Sequence, residues 1–325
     1  MRIFITGICG FIGYNLATKL ISDGHEVVGI DALTTSYAHK VHITRRELLH
    51  SQNVPVLDAD LFDFDFKSMI EDMRSSSRTP VDAIIHLAAW PGVLKSKEQP
   101  KEYFKNNVAA FSRALALIEV LKPSKFIYAS SSSVYGNLGA EGPCSESAEL
   151  PVAKNYYAET KKIGEMLANS YPLDSDTEIC GLRFFTVVGP WGRPDMSYWS
   201  FADSISADSE IQLRGDNGGL RDFTDVDDLT GIISALIATK KSLPKILNIS
   251  NSHPKSALEM IELLGQNLSK TPKIKVVPRS DLEADVTVGS NELLTEIIGE
   301  WDWKPLDETI EKFSRWYLDN RSRIT

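Results

Sequence analysis

The sequence has little cysteine: Cys9, Cys144 and Cys180 are odd in number, far apart and form no CxxC pair. That excludes a disulfide framework and a zinc knuckle and points to a reducing compartment. No apolar run approaches the roughly 18 residues of a membrane span. Met1-Arg2-Ile3-Phe4 leads at once into a strand and leaves no room for a signal peptide, so the expected location is cytoplasmic. There is no basic block either: 35 Lys and Arg against 44 Asp and Glu give a net charge of −9. A nucleic-acid or anionic-membrane surface is therefore not expected, and any anionic ligand must be met by a local group of arginines. Internal repeats and low-complexity tracts are missing as well. At 42 % hydrophobic and 24 % charged over 325 residues, the chain reads as a globular protein of two lobes.

Short apolar runs rich in Ile, Val and Phe read as strands at Arg2–Thr6, Val27–Asp31, Val54–Leu57, Val81–Leu87, Phe126–Ser130 and Glu178–Phe184. Helical patterns lie between them at Phe11–Ser22, Phe66–Arg74, Lys101–Leu121 and Ala153–Tyr171. Strict alternation of strand and helix predicts an α/β, doubly wound (Rossmann) parallel sheet, and unbroken runs such as Ile84-Ile85-His86-Leu87 fit strands covered on both faces. After Phe185 the texture changes to Gly, Pro, Trp and Asp-rich loops, with Ile246–Ile249 the one later segment that reads as a central strand. The expected division is residues 1–185 plus about 225–250 for a dinucleotide-binding domain, and about 186–224 with 251–325 for a smaller C-terminal substrate-binding lobe.

Thr6-Gly7-Ile8-Cys9-Gly10-Phe11-Ile12-Gly13 sits where the first strand meets the first helix. Gly7, Gly10 and Gly13 allow a tight turn, close approach of the backbone to a pyrophosphate, and close packing of helix on strand, with the phosphates at a helix N-terminus. Asp31 closes the second strand, where a carboxylate accepts both ribose hydroxyls of NAD and repels the extra phosphate of NADP. Asp60-Leu61 and Leu87-Ala88-Ala89 follow the third and fourth strands and are candidates to flank the same cofactor.

Tyr157 and Lys161 stand four apart on one helix face, so the ammonium can favour the phenolate and make it a base. Ser130-Ser131-Ser132-Ser133-Val134-Tyr135-Gly136 begins at the carboxyl end of the fifth strand, on the sheet edge where ligands of open α/β sheets bind. A serine hydroxyl there can share a substrate proton with the tyrosine. His39, His42 and His50 lack a carboxylate or cysteine partner in the pattern, and no metal site is expected.

Together these stretches resemble the extended short-chain dehydrogenase/reductase family, specifically its nucleotide-sugar epimerases and dehydratases. The resemblance also takes in Asn106-Asn107-Val108, Arg183-Phe184-Phe185, Arg221-Asp222-Phe223-Thr224 and Trp303-Lys304-Pro305. It implies Ser131, Tyr157 and Lys161 as the catalytic triad, and Phe11, Ile12, Asn107 and Phe185 among the residues lining cofactor or substrate. The implied cofactor is NAD and the implied partner a UDP-sugar, with a homodimer formed by a four-helix contact of Lys101–Leu121 and Ala153–Tyr171. Sugar dehydratases carry Asp-Glu, and uronate decarboxylases Ser-Glu, where this chain has Ser132-Ser133. Without a carboxylate there, elimination is poorly served and simple 4-epimerisation remains. Thr186-Val187-Val188-Gly189-Pro190-Trp191-Gly192-Arg193-Pro194-Asp195-Met196 resembles the segment of UDP-glucuronate 4-epimerases in which Thr and Arg hold the sugar carboxylate. Arg221, with Arg214 and Arg279, would meet the diphosphate. A neutral UDP-glucose or UDP-N-acetylhexosamine substrate, a reductase releasing NADH, and a non-catalytic nucleotide-binding regulator are the alternatives. Trp90-Pro91 departs from the smaller or polar residues of relatives and is expected to narrow the sugar pocket.

Overall fold

The computed structural model describes residues 1–33, 39–66, 80–172, 176–279 and 284–324. Seven parallel strands form the central sheet: β1 (Arg2–Thr6), β2 (Glu26–Asp31), β3 (Val56–Asp58), β4 (Ala83–His86), β5 (Lys125–Ser131), β6 (Glu178–Phe184) and, from late in the chain, β11 (Ile246–Ile249). Their order is β11-β6-β5-β4-β1-β2-β3. The winding reverses between β1 and β4, which pair Ile3 with Ala83 through Thr6 with His86. That reversal opens a crevice at the carboxyl edge, and both the glycine turn after β1 and Leu87–Ala89 after β4 empty into it.

The pleat sends alternate residues to opposite faces. Ile3, Ile5, Ile85 and Ile127 point to one core, which they share with helix α1 (Phe11–Ser22). Phe4, Ile84, Phe126 and Tyr128 point to the other. The second core is capped by a helical run, α4 (Pro100–Phe104), a π turn (Lys105–Ala109), α5 (Ala110–Leu115) and α6 (Leu117–Leu121), beside which lies α7 (Tyr156–Asn169). The π turn buries Asn107 and Val108 in mid-run, the kind of interruption found at functional sites. Helices α2 (His39–Ser51) and α3 (Val93–Glu98) complete the first half. Of the helix expected at Phe66–Arg74, residues 67–74 lie outside the described residues.

The loop texture expected after Phe185 is corrected by the structure, which places five helices there: α8 (Ser197–Ser206), α9 (Val226–Ala238), α10 (Ala257–Asn267), α11 (Glu292–Ile298) and α12 (Leu306–Ile324). Short strands pair among them: β7 (Thr186–Val188) with β10 (Phe223–Asp225), β8 (Glu210–Arg214) with β13 (Lys273–Val277), and β9 (Leu220–Arg221) with both β12 (Lys255–Ser256) and β14 (Val286–Thr287). The second lobe has its own core of Tyr198, Trp199, Ile211, Met260, Phe313 and Tyr317. Two later helices nevertheless return to the first lobe: α9 lies against α1, and Leu294 and Ile297 of α11 join the α1-side core. Among the described residues, no helix is long and apolar enough to cross a membrane.

Candidate active site

Gly7 adopts φ +71°, and a Cβ there would stand 2.7 Å from the Ala88 nitrogen. A Cβ on Gly13 would stand 2.1 Å from the Gly7 carbonyl oxygen, so only glycine lets the first turn of α1 close against its own entry loop. Gly10 begins α1 with no side-chain cap, which leaves its first N–H groups for an anion. Asp31 accepts hydrogen bonds from the Cys9 and Leu33 N–H groups, both at 2.9 Å, and burial holds its pKa above the ordinary carboxylate value. Turn, helix start and buried carboxylate fit the pyrophosphate and ribose of a dinucleotide.

A cavity of about 810 Å³ runs from this turn along the carboxyl edge. Gly7, Gly10, Phe11, Ile12, Gly13, Asp31, Asp60, Leu61, Leu87, Ala88 and Ala89 line its cofactor end. Ser131, Ser132, Ser133, Tyr157, Lys161, Phe185, Thr186, Arg193 and Arg221 line the rest. Two expected residues are absent from these walls. Asn107 spends its amide elsewhere: Oδ1 accepts the Trp90 N–H at 2.7 Å, while Nδ2 donates to the Trp90 carbonyl at 3.0 Å and to Thr160 Oγ1 at 3.1 Å. It therefore clasps the Trp90 backbone to α7. Arg279 pairs with Asp285 at 2.8 Å and donates to the Ala284 carbonyl at 3.2 Å, while Arg214 and Arg221 line the cavity.

Asn155 caps α7 by accepting the Ala158 N–H at 2.9 Å, and this sets Tyr157 and Lys161 facing the end of β5. Lys161 Nζ donates to the Ala129 carbonyl at 2.9 Å and lies 5.9 Å from the centre of the Tyr157 ring. Burial strips water from this ammonium and pushes its pKa from 10.5 down to about 8, against the opposing pull of Glu165. Tyr157 stands above its ordinary pKa because it is buried; the hydrogen bond with Ser131 and the charge of Arg193 act the other way. The sequence pattern assigns the lowering of the phenol to Lys161. In the structure the groups that oppose burial are Ser131 and Arg193. Ser131 Oγ also accepts the Ser133 hydroxyl at 2.9 Å.

Further residues complete the site. His86 shares a 2.8 Å hydrogen bond with Thr6 Oγ1, and burial, with Lys161 adding, pushes its pKa down to about 3, so it is a neutral partner under the crevice. His42, one of the three histidines grouped in the sequence, lines the cavity as a neutral imidazole, its pKa pushed down to about 3 by burial and the nearby Arg45. Among the described residues no group of three or more His, Cys, Asp or Glu is placed to hold a metal ion. Glu165, one turn after Lys161, accepts Arg183 at 2.7 and 2.9 Å, and Arg183 in turn donates to the Tyr135 hydroxyl at 2.8 Å. This brace ties α7 to β6. Trp90 lines the cavity, edge-on to Tyr103 at 5.9 Å. Arg193 also lines it, with its Nε and Nη2 on Asp195 at 3.0 and 2.9 Å.

Comparison with known proteins agrees with this geometry. Residues 3–250 match the NAD dependent epimerase/dehydratase family. A Staphylococcus aureus protein named CapI is 33 % identical over 98 % of this chain and 99 % of its own length. A probable UDP-glucuronate 4-epimerase of Rhizobium meliloti is 31 % identical over 99 % of this chain and 98 % of that protein. The crystal structure of a UDP-glucuronic acid 4-epimerase from Bacillus cereus, in complex with UDP-glucuronic acid and NAD, superposes with a TM-score of 0.89 at 28 % identity, covering 98 % of this chain and 99 % of that one.

Proposed function

Since the chain belongs to the NAD-dependent epimerase/dehydratase family, we propose that it interconverts UDP-glucuronate and UDP-galacturonate by transient oxidation at C4. The observation that carries this reading is Arg193, a cavity-lining cation close enough to Tyr157 for its charge to act on the phenol. A C5 carboxylate is the neighbour of the C4 hydroxyl, so a residue that reads the carboxylate must lie beside the group that takes the C4 proton. Thr186 lines the same cavity and joins Arg193 in this task.

In this reading Tyr157 removes the C4 hydroxyl proton and later returns it, while Ser131 hydrogen-bonds the same oxygen. Lys161, anchored on Ala129, holds the nicotinamide ribose and a positive charge beneath the phenol. Bound NAD would supply reversible hydride acceptance at C4, with no net NADH expected. The ketone turns over in the cavity between the two transfers, with Arg214 and Arg221 on the diphosphate. Ser132 and Ser133 hold the sugar without supplying a carboxylate base, and elimination does not compete. Two copies associate through α4 to α6 and α7, a contact supported by the exposed Phe104, Tyr156 and Met166. The three free, buried cysteines accord with work in the cytoplasm.

One observation favours a second reading. Arg193 is held bidentately by Asp195, as it would be in an epimerase of neutral UDP-hexoses with no carboxylate to bind. Arg193→Ala separates the two. A charge-assisted bidentate contact contributes roughly 1.5–3 kcal/mol. Calorimetry should therefore show UDP-glucuronate weakened by about ten- to a hundredfold and UDP nearly unchanged. Equal losses for the two ligands, or a wild-type kcat/KM that favours UDP-glucose, would promote the neutral-hexose reading.

A further inference from the structure

Arg45 of α2 is wholly buried, and its guanidinium spans two separate pieces of the active site. Nη1 donates to the Cys9 carbonyl at 3.1 Å, within the glycine turn. Nη2 donates to the carbonyls of Trp191 at 2.5 Å and Gly192 at 2.6 Å, the two residues that precede Arg193. A buried guanidinium is costly where its donors lack acceptors, and here backbone carbonyls accept from both terminal nitrogens, Nη1 and Nη2. An apolar side chain at 45 would leave those carbonyls without this donor.

Both ends of the clasp are rigid. Trp191 adopts φ +60°, and its ring meets Tyr14 at 5.3 Å and Trp316 at 5.1 Å. A Cβ on Gly192 would lie 1.6 Å from the Tyr198 hydroxyl, so the loop cannot relax by shifting towards α8. At the other end the Cys9 N–H is fixed on Asp31 at 2.9 Å. A chain of contacts thus runs from the ribose carboxylate through Cys9 and Arg45 to the backbone on which Arg193 is mounted.

We propose that Arg45 is a positioning residue that sets the register of the loop carrying Arg193 against the dinucleotide turn, and so decides whether a sugar carboxylate meets Arg193 while C4 faces the cofactor. The inference rests on the uronate reading above and adds to it a residue that touches neither sugar nor base.

The test is Arg45→Lys in the holoenzyme. Lysine keeps the charge, but its single nitrogen cannot bridge both stretches as the planar fork does. Calorimetry with UDP-glucuronate and with UDP is run on wild type, R45K, R193A and the double variant. R45K should weaken UDP-glucuronate about tenfold, as loss of a charge-assisted contact would, and leave UDP within about twofold. In the R193A background R45K should change neither ligand further, because the residue through which it acts is gone. A merely structural role would weaken both ligands together, or add its loss in full to that of R193A, and either result overturns the inference. Where R45K does not fold, R45Q, which keeps two amide donors, is read for the same ratio. If R193A itself fails to separate the two ligands, the uronate reading falls and Arg45 with it. If R193A separates them and R45K does not, the inference about Arg45 falls alone.

Discussion

Replacing Lys161 by Met should make the cofactor-free protein at least as stable at pH 7 while abolishing activity. Burial lowers the ammonium pKa from 10.5 to about 8, which corresponds to roughly 3 kcal/mol of destabilisation while the group is charged in both states. Met is of similar length and carries no charge. It leaves the Ala129 carbonyl without its donor, at a cost of about 1–3 kcal/mol, so the variant gains about 1 kcal/mol at neutral pH by these two opposing terms. The pH dependence is the sharper readout. Below pH 8 folded and unfolded chains both hold the proton, and the wild type bears the full cost. Between 8 and 10.5 the folded state releases the proton first, the unfolded state binds more, and wild-type stability rises. Met has no such transition. Urea denaturation across pH 7 to 10.5, with NAD removed because bound ligand adds its own binding free energy, should show the two stability curves converging and then crossing. A variant less stable than wild type at pH 7 by a gap that stays constant up to pH 10.5 would refute the reasoning, since Lys161 would then carry no buried-charge penalty.

Tyr157→Phe keeps the ring packed and removes the base, so kcat should fall by about 10²- to 10⁴-fold with little change in NAD affinity; a variant retaining more than about a tenth of the wild-type rate would place the base elsewhere. Gly13→Ala should lose bound NAD on purification, because its methyl would stand 2.1 Å from the Gly7 carbonyl and force the turn open; the nucleotide content of the purified variant, measured by absorbance, checks it. With UDP-glucuronate the wild type should yield UDP-galacturonate and only traces of UDP-pentose by mass spectrometry, since Ser132 and Ser133 bring no carboxylate to the C4 ketone.

The strands of the first lobe were legible because parallel strands buried on both faces leave unbroken apolar runs, as at Ile84-Ile85. The glycine turn was legible because contacts of 2.1 and 2.7 Å leave no room for any other residue. The helices of the second lobe had quieter marks that the Gly, Pro and Trp between them obscured. Ser256 and Glu259 form a capping box at the start of α10, and Pro305 directly precedes α12. Arg45 had none, and Asn107 was marked only by the resemblance, as a residue lining the site rather than as a clasp. Each acts through backbone groups distant in sequence, Trp90 for one and Cys9 with Trp191 and Gly192 for the other, and such partners leave no spacing to read. The π turn that carries Asn107 interrupts a run that reads as ordinary helix.

The return of α9 and α11 to the first lobe has a consequence for anyone wishing to re-engineer the protein. Its chain crosses between the lobes several times, so the second lobe is not a detachable cassette. A truncation after Phe185 would strip away β11 and the apolar cover that Leu229, Ile233, Leu294 and Ile297 provide, leaving β6 as a bare edge prone to aggregate. A transplant of the second lobe from a relative would replace that cover with one fitted to another sheet. The practical unit of exchange is a short loop, and the loop from Thr186 to Met196 is tethered to the cofactor turn by Arg45 and to α1 by Asn15, which donates to the Pro190 carbonyl at 3.3 Å. A graft of that loop has to preserve the carbonyl positions at 191 and 192 that Arg45 holds, or carry its own anchor.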